Sequence, residues 1–474
     1  MEIKRNDISV IDGAELKAIQ NIYFLGIGGI GMSAIARYFH SRGVNVEGYD
    51  RTKSALTTSL EESGIKIHYE ENIDLIPKNV QLVVFTPAVS QQNIELNYYL
   101  QNGYKVVKRS DVLKMITENS FNICVAGTHG KTTISTMIAH LLKNSGYGCN
   151  AFLGGISVNY GTNFWSSEKN VCVIEADEYD RSFLKLFPDV AVISSMDADH
   201  LDIYGTEKEV EKAFIDFSSN LKVGGLLVRK FGLKRESDLN ASNHLSYSAQ
   251  NKEADVYATN IKLENGGYQF DVVLKNQVVE KFVLKMGGLH NIENIVAAIT
   301  VANYLGINDN EIRKGVETFR GVKRRFEYIV DSQEVIQIDD YAHHPEELKA
   351  LINGAKTLFS QRKCTVIFQP HLFSRTKDFA AEFAAVLDLA DEIILLPIYP
   401  ARELLMEGVS SELILNAMTN PNKKIMTQTE IINWLESDFL EKINKNFGNV
   451  IITAGAGDID LLVSPIKQIL EKRK

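Results

Sequence analysis

The sequence has 474 residues, of which 45% are hydrophobic and 23% are charged, and its formal net charge is −9. A chain of this length predicts roughly three domains of about 150 residues each. The composition is that of a folded globular protein and excludes a disordered, collagen-like or disulfide-rich chain. A net negative charge is not typical of proteins that coat nucleic acid or anionic membranes, so we expect no nucleic-acid partner.

The sequence also carries no signal for a membrane or for export. No apolar run reaches the 18 or more residues that a membrane-spanning helix needs, and MEIKRNDISV lacks the apolar stretch of a signal peptide. The cysteines Cys124, Cys149, Cys172 and Cys364 form no CxxC pair, and three of them lie among apolar neighbours, as buried reduced thiols do. We therefore predict a cytoplasmic protein, either a monomer or a homodimer.

Short apolar runs alternate with helical patterns over the first 119 residues. After the first run, Met32, Ile35, Ala36 and Phe39 follow the i, i+3, i+4, i+7 spacing of an amphipathic helix. Strands that alternate with helices are typical of a parallel sheet built from βαβ units. The expected strands are 21–27, 44–50, 65–69, 82–86 and 104–108.

Two further α/β units are predicted in residues 120–322 and 323–474, so that the fold class is α/β with three consecutive domains, 1–119 being the first. In the second unit, segment 241–286 alternates polar and apolar residues around a Gly-Gly pair, which predicts antiparallel strands at a sheet edge. The other expected strands are the runs 121–127, 171–177, 190–200, 334–338, 364–370, 392–399 and 449–455, and a helix is expected at 291–305.

A glycine-rich turn, GIGGIG, follows the first predicted strand and precedes the first predicted helix. Glycines at Gly26, Gly28, Gly29 and Gly31 allow a tight turn and let helix N–H groups approach a diphosphate. Asp50 ends the next strand, near the usual position of a ribose-binding acidic residue. The turn predicts binding of a diphosphate, and alone it would favour NAD.

A second glycine-containing loop follows the strand that begins the second unit. It is shorter than the strict phosphate-loop motif, because position 125 is Val rather than Gly. Its chemistry still fits, since backbone amides cradle phosphates, a lysine neutralises β/γ charge and a hydroxyl ligates Mg²⁺. The loop predicts an ATP site formed by Gly127, Thr128, His129, Gly130, Lys131, Thr132 and Thr133.

Candidate metal ligands follow two other strands of the second unit. Glu175 ends the run VCVIE, and His200 closes the segment DADH after another apolar run. The carboxyl ends of neighbouring parallel strands open onto one crevice, so both side chains are expected near the phosphate loop. Together with Thr132 they could complete a Mg²⁺ shell that keeps waters and phosphate oxygens. A hydrogen-bonded loop histidine is the alternative for His200.

Several polar segments of the second and third units remain ambiguous. Asn291 could be a helix N-cap, and neither it nor His290 could be assigned to a nucleotide from the residues alone. The basic cluster KRRF contains Arg325, and arginine suits a phosphate. The third unit adds DDYAHHP, which predicts a functional loop more strongly than a zinc site. It also adds QPHLFSR, where His371 or Arg375 would lie at a crevice edge, and Arg375 could clamp a carboxylate.

Taken together, nine segments of the chain resemble the Mur ligases, which are ATP-dependent amide-forming enzymes of peptidoglycan synthesis. They occur in the order found in that family and extend from residue 24 to residue 459. The segments are FLGIGGIGMSAIA, VAGTHGKTT, IEADEYDRSF, DADHLD, GLHNIENI, GVKRRFE, DDYAHHP, FQPHLFSRT and GAGDI.

The resemblance implies a Rossmann-like first domain, a central ATPase domain and a Rossmann-like third domain that closes over the site. It also implies ATP and Mg²⁺ as cofactors, and UDP-N-acetylmuramate and L-alanine as substrates. The GIGGIG turn would then bind a UDP-sugar rather than NAD. The resemblance implies that Lys131 and Thr132 contact the ATP phosphates and Mg²⁺, and that Glu175 and His200 bind the metal. It implies that the nucleotide is contacted by His290, Asn291 and Arg325. The amino acid would be bound by Tyr341, His343 and Arg375.

The implied reaction also makes chemical sense. A lactyl carboxylate is a poor electrophile, so transfer of the ATP γ-phosphoryl group would first activate it as an acyl phosphate. The amino group of L-alanine would then attack, with His343 or His200 as the candidate base. The motifs allow three rival functions: an NAD-dependent dehydrogenase, a P-loop NTPase that drives a binding or assembly event, and a folylpolyglutamate-type synthetase.

Overall fold

A computed structural model describes residues 18–264, 266–275, 277–401 and 403–472 of the chain. The N-terminal segment for which no signal peptide is predicted lies outside these residues. No helix in these ranges is long and apolar enough to cross a membrane. The described residues form three β-sheets, each with helices, which confirms the predicted α/β class.

The first sheet has five strands in the order β3-β2-β1-β4-β5, and all of its pairings are parallel. Alternation along β1 divides its side chains between the two faces, with Phe24 in one apolar cluster and Tyr23 and Leu25 in another. The predicted strands are confirmed. The elements are β1 Asn21–Leu25, α1 Ile30–Ser41, β2 Asn45–Tyr49, α2 Ala55–Glu62, β3 Lys66–His68, β4 Leu82–Phe85, α3 Ile94–Gln101, β5 Val106–Lys108 and α4 Arg109–Thr117.

The second sheet has ten strands in the order β15-β14-β13-β12-β11-β10-β6-β9-β7-β8. Its strands are β6 Phe121–Ala126, β7 Asn150–Ser157, β8 Thr162–Trp165, β9 Val171–Glu175, β10 Val190–Ile193, β11 Leu226–Lys230, β12 His244–Ser248, β13 Val256–Glu264, β14 Gly267–Leu274 and β15 Gln277–Leu284. The helices are α5 Lys131–Asn144, α6 Leu201–Tyr204, α7 Glu207–Ser219, α8 Leu289–Tyr304 and α9 Asp309–Thr318, with 3₁₀ turns at Ser182–Lys185 and Glu236–Asp238.

The pairings from β13 across to β7 are parallel, and β8 pairs with β7 in antiparallel fashion. Strands β13, β14 and β15 are hydrogen-bonded neighbours joined by two-residue connections, which only antiparallel strands allow. Gly266, in the first of these turns, has φ +75°, a backbone conformation that glycine adopts readily. The predicted antiparallel edge is therefore confirmed, while β12 within the same predicted segment is parallel.

The third sheet has six strands in the order β16-β17-β21-β18-β19-β20 and is parallel apart from the β16–β17 pair. Both faces are covered, since Val366 and Phe368 join one apolar cluster and Ile367 joins the other. The strands are β16 Glu327–Asp331, β17 Val335–Asp340, β18 Lys363–Phe368, β19 Glu392–Leu395, β20 Lys423–Ile425 and β21 Asn449–Ala454. The helices are α10 Pro345–Leu358, α11 Phe373–Asp378, α12 Ala380–Leu387, α13 Glu412–Ala417, α14 Gln428–Trp434 and α15 Asp460–Glu471, with a π turn at Leu435–Phe439.

Several element boundaries differ from the sequence expectations, and three of them have a clear consequence. Strand β19 ends at Leu395 and not near residue 399, because Pro397 has no N–H to donate to a ladder. Strand β17 continues through Asp339 and Asp340, which had been expected in the following loop. Helix α8 begins at Leu289, two residues earlier than expected.

The chain divides into two compact units. The first contains residues 18–259, 271–280 and 293–319, and the second contains 260–270, 281–292 and 320–472 within the described ranges. The first sheet and the phosphate-loop strands lie in the first unit, and the third sheet lies in the second unit.

A buried histidine joins two helices of the first unit. The His140 side chain in α5 is 1% exposed, and its Nε2 lies 2.9 Å from the carbonyl oxygen of Gly315 in α9. Its Nδ1 lies 2.9 Å from the Tyr160 hydroxyl. Burial lowers the pKa of His140 to about 4, because the apolar surroundings disfavour the charged ring.

We expect this histidine to contribute to acid denaturation. The unfolded state, with an ordinary histidine pKa near 6.5, binds the proton more tightly, so stability is full above about pH 6.5 and falls as the pH drops toward 4. The loss should reach about 3 kcal/mol. Thermal melts of His140→Gln between pH 4 and 7.5 should show a flatter profile than the wild type. The exposed His244, replaced in the same way, provides the control, and an unchanged profile in His140→Gln would contradict this expectation.

Candidate active site

The phosphate loop follows β6 and leads directly into α5. Gly127 has φ +133° and Gly130 has φ +83°, and a Cβ on Gly127 would lie 2.2 Å from the Ser194 Oγ. These positions therefore require glycine for both backbone conformation and space. Strand β6 lies between β10 and β9, so the segments that follow all three strands meet at one edge of the sheet. The strand order thus brings these three segments to one edge within this unit.

Lys131 is the first residue of α5, and its ammonium group points back over the loop. Nζ donates to the Gly127 carbonyl oxygen at 2.9 Å and to Glu178 Oε1 at 2.8 Å. A cation is thus held at the amino end of a helix, where N–H groups and the helix dipole already favour an anion. The arrangement suits the phosphate groups of a nucleotide.

Glu178 is a site residue that sequence reasoning did not select. Its side chain is buried, and Oε2 has no hydrogen-bond partner among the described residues. Burial raises the pKa of Glu178, while the adjacent Lys131 ammonium acts in the opposite direction. The sequence prediction named Glu175, the last residue of β9, and nothing in the spacing indicated that Glu178 would contact Lys131.

Glu175 and Thr132 lie together beside the loop. Glu175 Oε2 accepts the Gly154 N–H at 2.9 Å. Burial raises the pKa of Glu175, and Lys131 and the neighbouring Thr132 hydroxyl oppose that rise. The hydroxyl and the carboxylate are therefore placed side by side, as the sequence predicted.

His200 has φ +52° and precedes the short helix α6. Its Nε2 lies 3.9 Å from Glu178 Oε1 and 3.7 Å from Asp199 Oδ2. The structure thus brings His200 to the same carboxylate that Lys131 contacts. No group of three or more His, Cys, Asp or Glu side chains in the described part of the chain forms a ready-made metal cage. An ion bound here would need water and phosphate oxygens to complete its shell.

The remaining loop residues are fixed by the segment after β10. The Thr128 hydroxyl donates to the Asp197 carbonyl oxygen at 3.0 Å, and the His129 N–H donates to the Ser195 Oγ at 2.8 Å. Thr133 is buried in the first turn of α5. These contacts hold the loop in shape.

The GIGGIG turn carries a carboxylate of its own. Asp50 Oδ2 accepts the Gly28 N–H at 2.8 Å, and Oδ1 accepts the Thr52 N–H at 3.1 Å. A Cβ on Gly28 would lie 2.8 Å from that carboxylate oxygen, and Gly26 has φ +81°. Asp50 therefore holds the turn in place. Gly29 is the N-cap of α1 and Gly31 lies in its first turn.

His290 and Asn291 lie in the first turn of α8. The Asn291 side-chain amide donates to the Gly287 carbonyl oxygen at 2.7 Å, so Asn291 is a donor inside the helix and not its N-cap. The His290 ring folds back over Gly288, where a Cβ would lie 2.4 Å from its Cε1. The structure places this pair in the second unit, as it does Arg325.

The DDYAHHP segment is organised by Asp340 at the end of β17. Its carboxylate accepts the Phe326 N–H at 2.7 Å and the Ala342 N–H at 2.8 Å. Burial raises the pKa of Asp340 to about 6, although the Arg325 guanidinium opposes the rise. Arg325 also lies over the Tyr341 ring at 5.9 Å.

His343, His371 and Arg375 lie near one another in the second unit. The two imidazole rings are 6.0 Å apart, and His371 stacks on Tyr399 at 5.8 Å. Burial lowers the pKa of both histidines, and the positive charge of Arg375 lowers them further. Arg375 Nη1 is buried without a hydrogen-bond partner in the described structure. A buried guanidinium donor without a partner is suited to receiving an anion.

Family comparisons match nearly the whole length of the chain. The Mur ligase family catalytic domain matches residues 21–120, the Mur ligase middle domain matches 125–302 and the Mur ligase glutamate ligase domain matches 324–457. All three descriptions belong to one family, in the order expected from the nine sequence segments.

Individual relatives agree with the family match. The UDP-N-acetylmuramate–L-alanine ligase of Porphyromonas gingivalis is 45% identical over 96% of this chain and 99% of its own length. The corresponding ligase of Cytophaga hutchinsonii is 43% identical over 97% of this chain and 98% of its own length. The crystal structure of UDP-N-acetylmuramate-alanine ligase from Thermotoga maritima has a TM-score of 0.81 and 28% identity, covering 96% of this chain and all of that one. A murein peptide ligase from Psychrobacter arcticus, at 23% identity and a TM-score of 0.67, shares the fold. The chain therefore belongs to the Mur ligase family of ATP-dependent, amide-bond-forming ligases.

Proposed function

We propose that this chain joins L-alanine to the lactyl carboxylate of UDP-N-acetylmuramate and converts ATP to ADP and phosphate. Relatives that carry the corresponding name and match nearly the full length of the chain support the choice of substrates. The product is a peptidoglycan precursor, and the reaction is assigned to the cytoplasm, where ATP is available. The predicted boundaries 1–119, 120–322 and 323–474 are kept as the proposed limits of the UDP-sugar, ATP and amino-acid domains.

The observation that carries the proposal is the position of Lys131 over the phosphate loop. Its ammonium lies between the Gly127 carbonyl and Glu178, where it can contact the β- and γ-phosphates. A cation there stabilises charge that builds on the transferring phosphoryl group. The lactyl carboxylate attacks the γ-phosphorus, ADP leaves, and an acyl phosphate forms.

Mg²⁺ fits the residues on this side of the loop. Thr132, Glu175 and His200 are the proposed ligands, and Glu178 joins them because its unpartnered buried Oε2 is otherwise an uncompensated acceptor. When bound, the ion supplies positive charge that neutralises the phosphate oxygens during in-line transfer. The chain's own residues hold the carboxylates in place, since the Gly154 N–H fixes Glu175 and the Tyr204 hydroxyl donates to the Glu178 carbonyl oxygen.

The second unit offers the groups for the amino acid. Arg375 is proposed to bind the L-alanine carboxylate through its unpartnered Nη1, beside Tyr341 and His343. His343 Nδ1 lies 2.9 Å from the Tyr341 carbonyl oxygen, which can only accept, so Nδ1 carries the proton and Nε2 is left as a base. Because burial lowers its pKa, His343 is neutral near pH 7 and suits removal of the ammonium proton. His200 remains the second candidate base.

Nucleotide and sugar binding complete the proposal. His290, Asn291 and Arg325 are proposed to contact ATP, and the turn Gly26, Gly28, Gly29 and Gly31 is proposed to bind the UDP-sugar. The Asp50 carboxylate, engaged with the Gly28 and Thr52 amides, supports that turn from behind.

Phosphate release from ATP, measured with UDP-N-acetylmuramate and with L-alanine, L-serine or glycine in turn, tests the function. Release should require both the UDP-sugar and an amino acid, L-alanine should be preferred, and mass spectrometry should show the UDP-sugar heavier by one alanyl residue. Phosphate release without the UDP-sugar would favour the NTPase alternative, and NAD reduction with a hydroxy acid would favour the dehydrogenase.

Metal dependence gives a further expected result. Chelation with EDTA should stop phosphate release, and added Mg²⁺ should restore it. His200→Ala removes one proposed ligand, so the Mg²⁺ concentration for half-maximal activity should rise at least tenfold, with partial recovery at high Mg²⁺. Titration of activity against Mg²⁺ measures this shift. His244→Ala, at an exposed site on β12, is the control, and an identical Mg²⁺ requirement in His200→Ala would remove His200 from the metal site.

A further inference from the structure

Arg109 is a half-buried cation that the proposed function has not used. It is the first residue of α4, and its side chain lies against the first turn of α1. A Cβ on Gly31 would lie 3.0 Å from Arg109 Nη1 and 3.4 Å from Cζ. The guanidinium is therefore held at the GIGGIG turn, and glycine at position 31 leaves room for it.

This arginine does not contribute a stabilising ion pair. No carboxylate among the described residues lies within ion-pair distance of it, and the nearest acid in its own turn, Asp111, is bound by Lys185 at 2.5 Å. It also occupies the amino end of a helix, where the dipole disfavours a cation. Among the described residues no ion pair accounts for an arginine in this place, whereas an anionic ligand would.

The surroundings indicate which anion. Arg109 and Ser110 line a narrow cleft together with Glu175, Asp177 and Ser182, and the apolar Leu113, Phe183 and Leu186 complete its wall. Glu175 belongs to the proposed metal site beside the phosphate loop. The guanidinium is thus placed between the turn proposed for the UDP-sugar and the carboxylate proposed for the metal that accompanies the γ-phosphate.

We propose that Arg109 binds the lactyl carboxylate of UDP-N-acetylmuramate and holds it in position for phosphoryl transfer. This assignment rests on the proposed function. In that reaction the diphosphate lies at the glycine turn, and the lactyl carboxylate is the one substrate anion that must reach the γ-phosphate. A guanidinium pairs with a carboxylate through two parallel N–H donors, which fixes both distance and direction. Arg109 is accordingly a substrate-binding residue that also prevents the carboxylate from turning away from ATP.

Calorimetric titration of wild-type protein and Arg109→Ala with two UDP-sugars tests the assignment. UDP-N-acetylmuramate carries the lactyl group, and UDP-N-acetylglucosamine has the same diphosphate and sugar ring without it. Arg109→Ala should weaken binding of the muramate roughly 10- to 100-fold and change binding of the glucosamine less than twofold. Arg109→Lys should recover part of the loss. Lys114→Ala, farther along α4 and outside the cleft, is the matched control.

Steady-state kinetics and thermal melts supply independent readouts. For Arg109→Ala, KM for UDP-N-acetylmuramate should rise and kcat should fall, while KM for ATP stays within twofold and the melting temperature is unchanged or higher. Equal weakening of both UDP-sugars would instead assign Arg109 to the diphosphate and overturn the proposal. Unchanged muramate binding, or a parallel rise in KM for ATP, would also overturn it. Wild-type turnover in the same assay tests the proposed function separately, because it does not depend on the variant.

Discussion

Replacing Lys131 with alanine is expected to abolish ligation. The ammonium faces the position of the β- and γ-phosphates and is the charge that must stabilise the transferring group. Loss of a comparable preorganised donor lowers turnover by about 10²- to 10³-fold, or roughly 3–4 kcal/mol. Phosphate release with saturating substrates measures the effect. If the purified variant kept more than a tenth of wild-type turnover, the ATP-site assignment would be wrong.

Replacing Lys131 is also expected to lower the stability of the fold, and this effect can be separated from the loss of catalysis. Lys131 is the ion-pair partner of the buried Glu178, so its removal leaves a carboxylate uncompensated and should lower stability by several kcal/mol, on the order of 3–5. The double variant Lys131→Met, Glu178→Gln removes both charges and should melt closer to wild type while staying inactive. Lys143→Met, exposed at the last turn of the same helix, is the control. Recovery of activity in the double variant would show that the single variant failed through stability alone.

Replacing Arg375 with alanine is expected to raise KM for L-alanine and to lower kcat. A guanidinium that binds the amino-acid carboxylate contributes both to capture of the substrate and to its direction of attack. Each charge-assisted hydrogen bond contributes about 1.5–3 kcal/mol, so kcat/KM should fall by roughly 10- to 100-fold or more. Initial rates at varied L-alanine, with the other substrates saturating, measure the change.

Arg375→Lys and Lys377→Ala complete that comparison. The lysine variant keeps the charge and loses the fork of two donors, so it should lie between wild type and Arg375→Ala. Lys377 is exposed on the same short helix and should leave alanine kinetics unaltered. Stability should change little in Arg375→Ala, because the buried Nη1 has no partner to lose. If alanine kinetics were untouched, or if only UDP-sugar binding weakened, the assignment of this loop would have to be abandoned.

Local sequence patterns predicted the elements that carry the site. The run before Gly127 is strand-like, and the glycines permit the loop that leads into α5. These features depend on residues within a few positions of one another. Where a local rule was interrupted, as by Pro397 at the end of β19, the predicted length was wrong.

Local sequence patterns did not predict which side chains contact one another. Glu175 ends β9 and Glu178 follows three residues later. Only the fold shows that the Glu178 carboxylate lies beside Lys131 and His200. Asp50 fits the pattern of a ribose-binding acid, yet its carboxylate takes the Gly28 and Thr52 amides. The orientation of a side chain at a strand end depends on what the neighbouring strand brings beside it.

The sequence by itself therefore determined the α/β class, the positions of both glycine turns and the family to which the chain belongs. Periodicity and turn chemistry are local, and a family motif preserves residue order. Only the tertiary structure decided that Arg375 Nη1 is buried without a partner, that His371 stacks on Tyr399, and that Arg109 faces the Gly31 turn. Those facts arise from strand order and from packing between residues far apart in the chain. The burial and the electrostatic environment of a side chain depend on all the residues around it, and most of these are distant in the sequence.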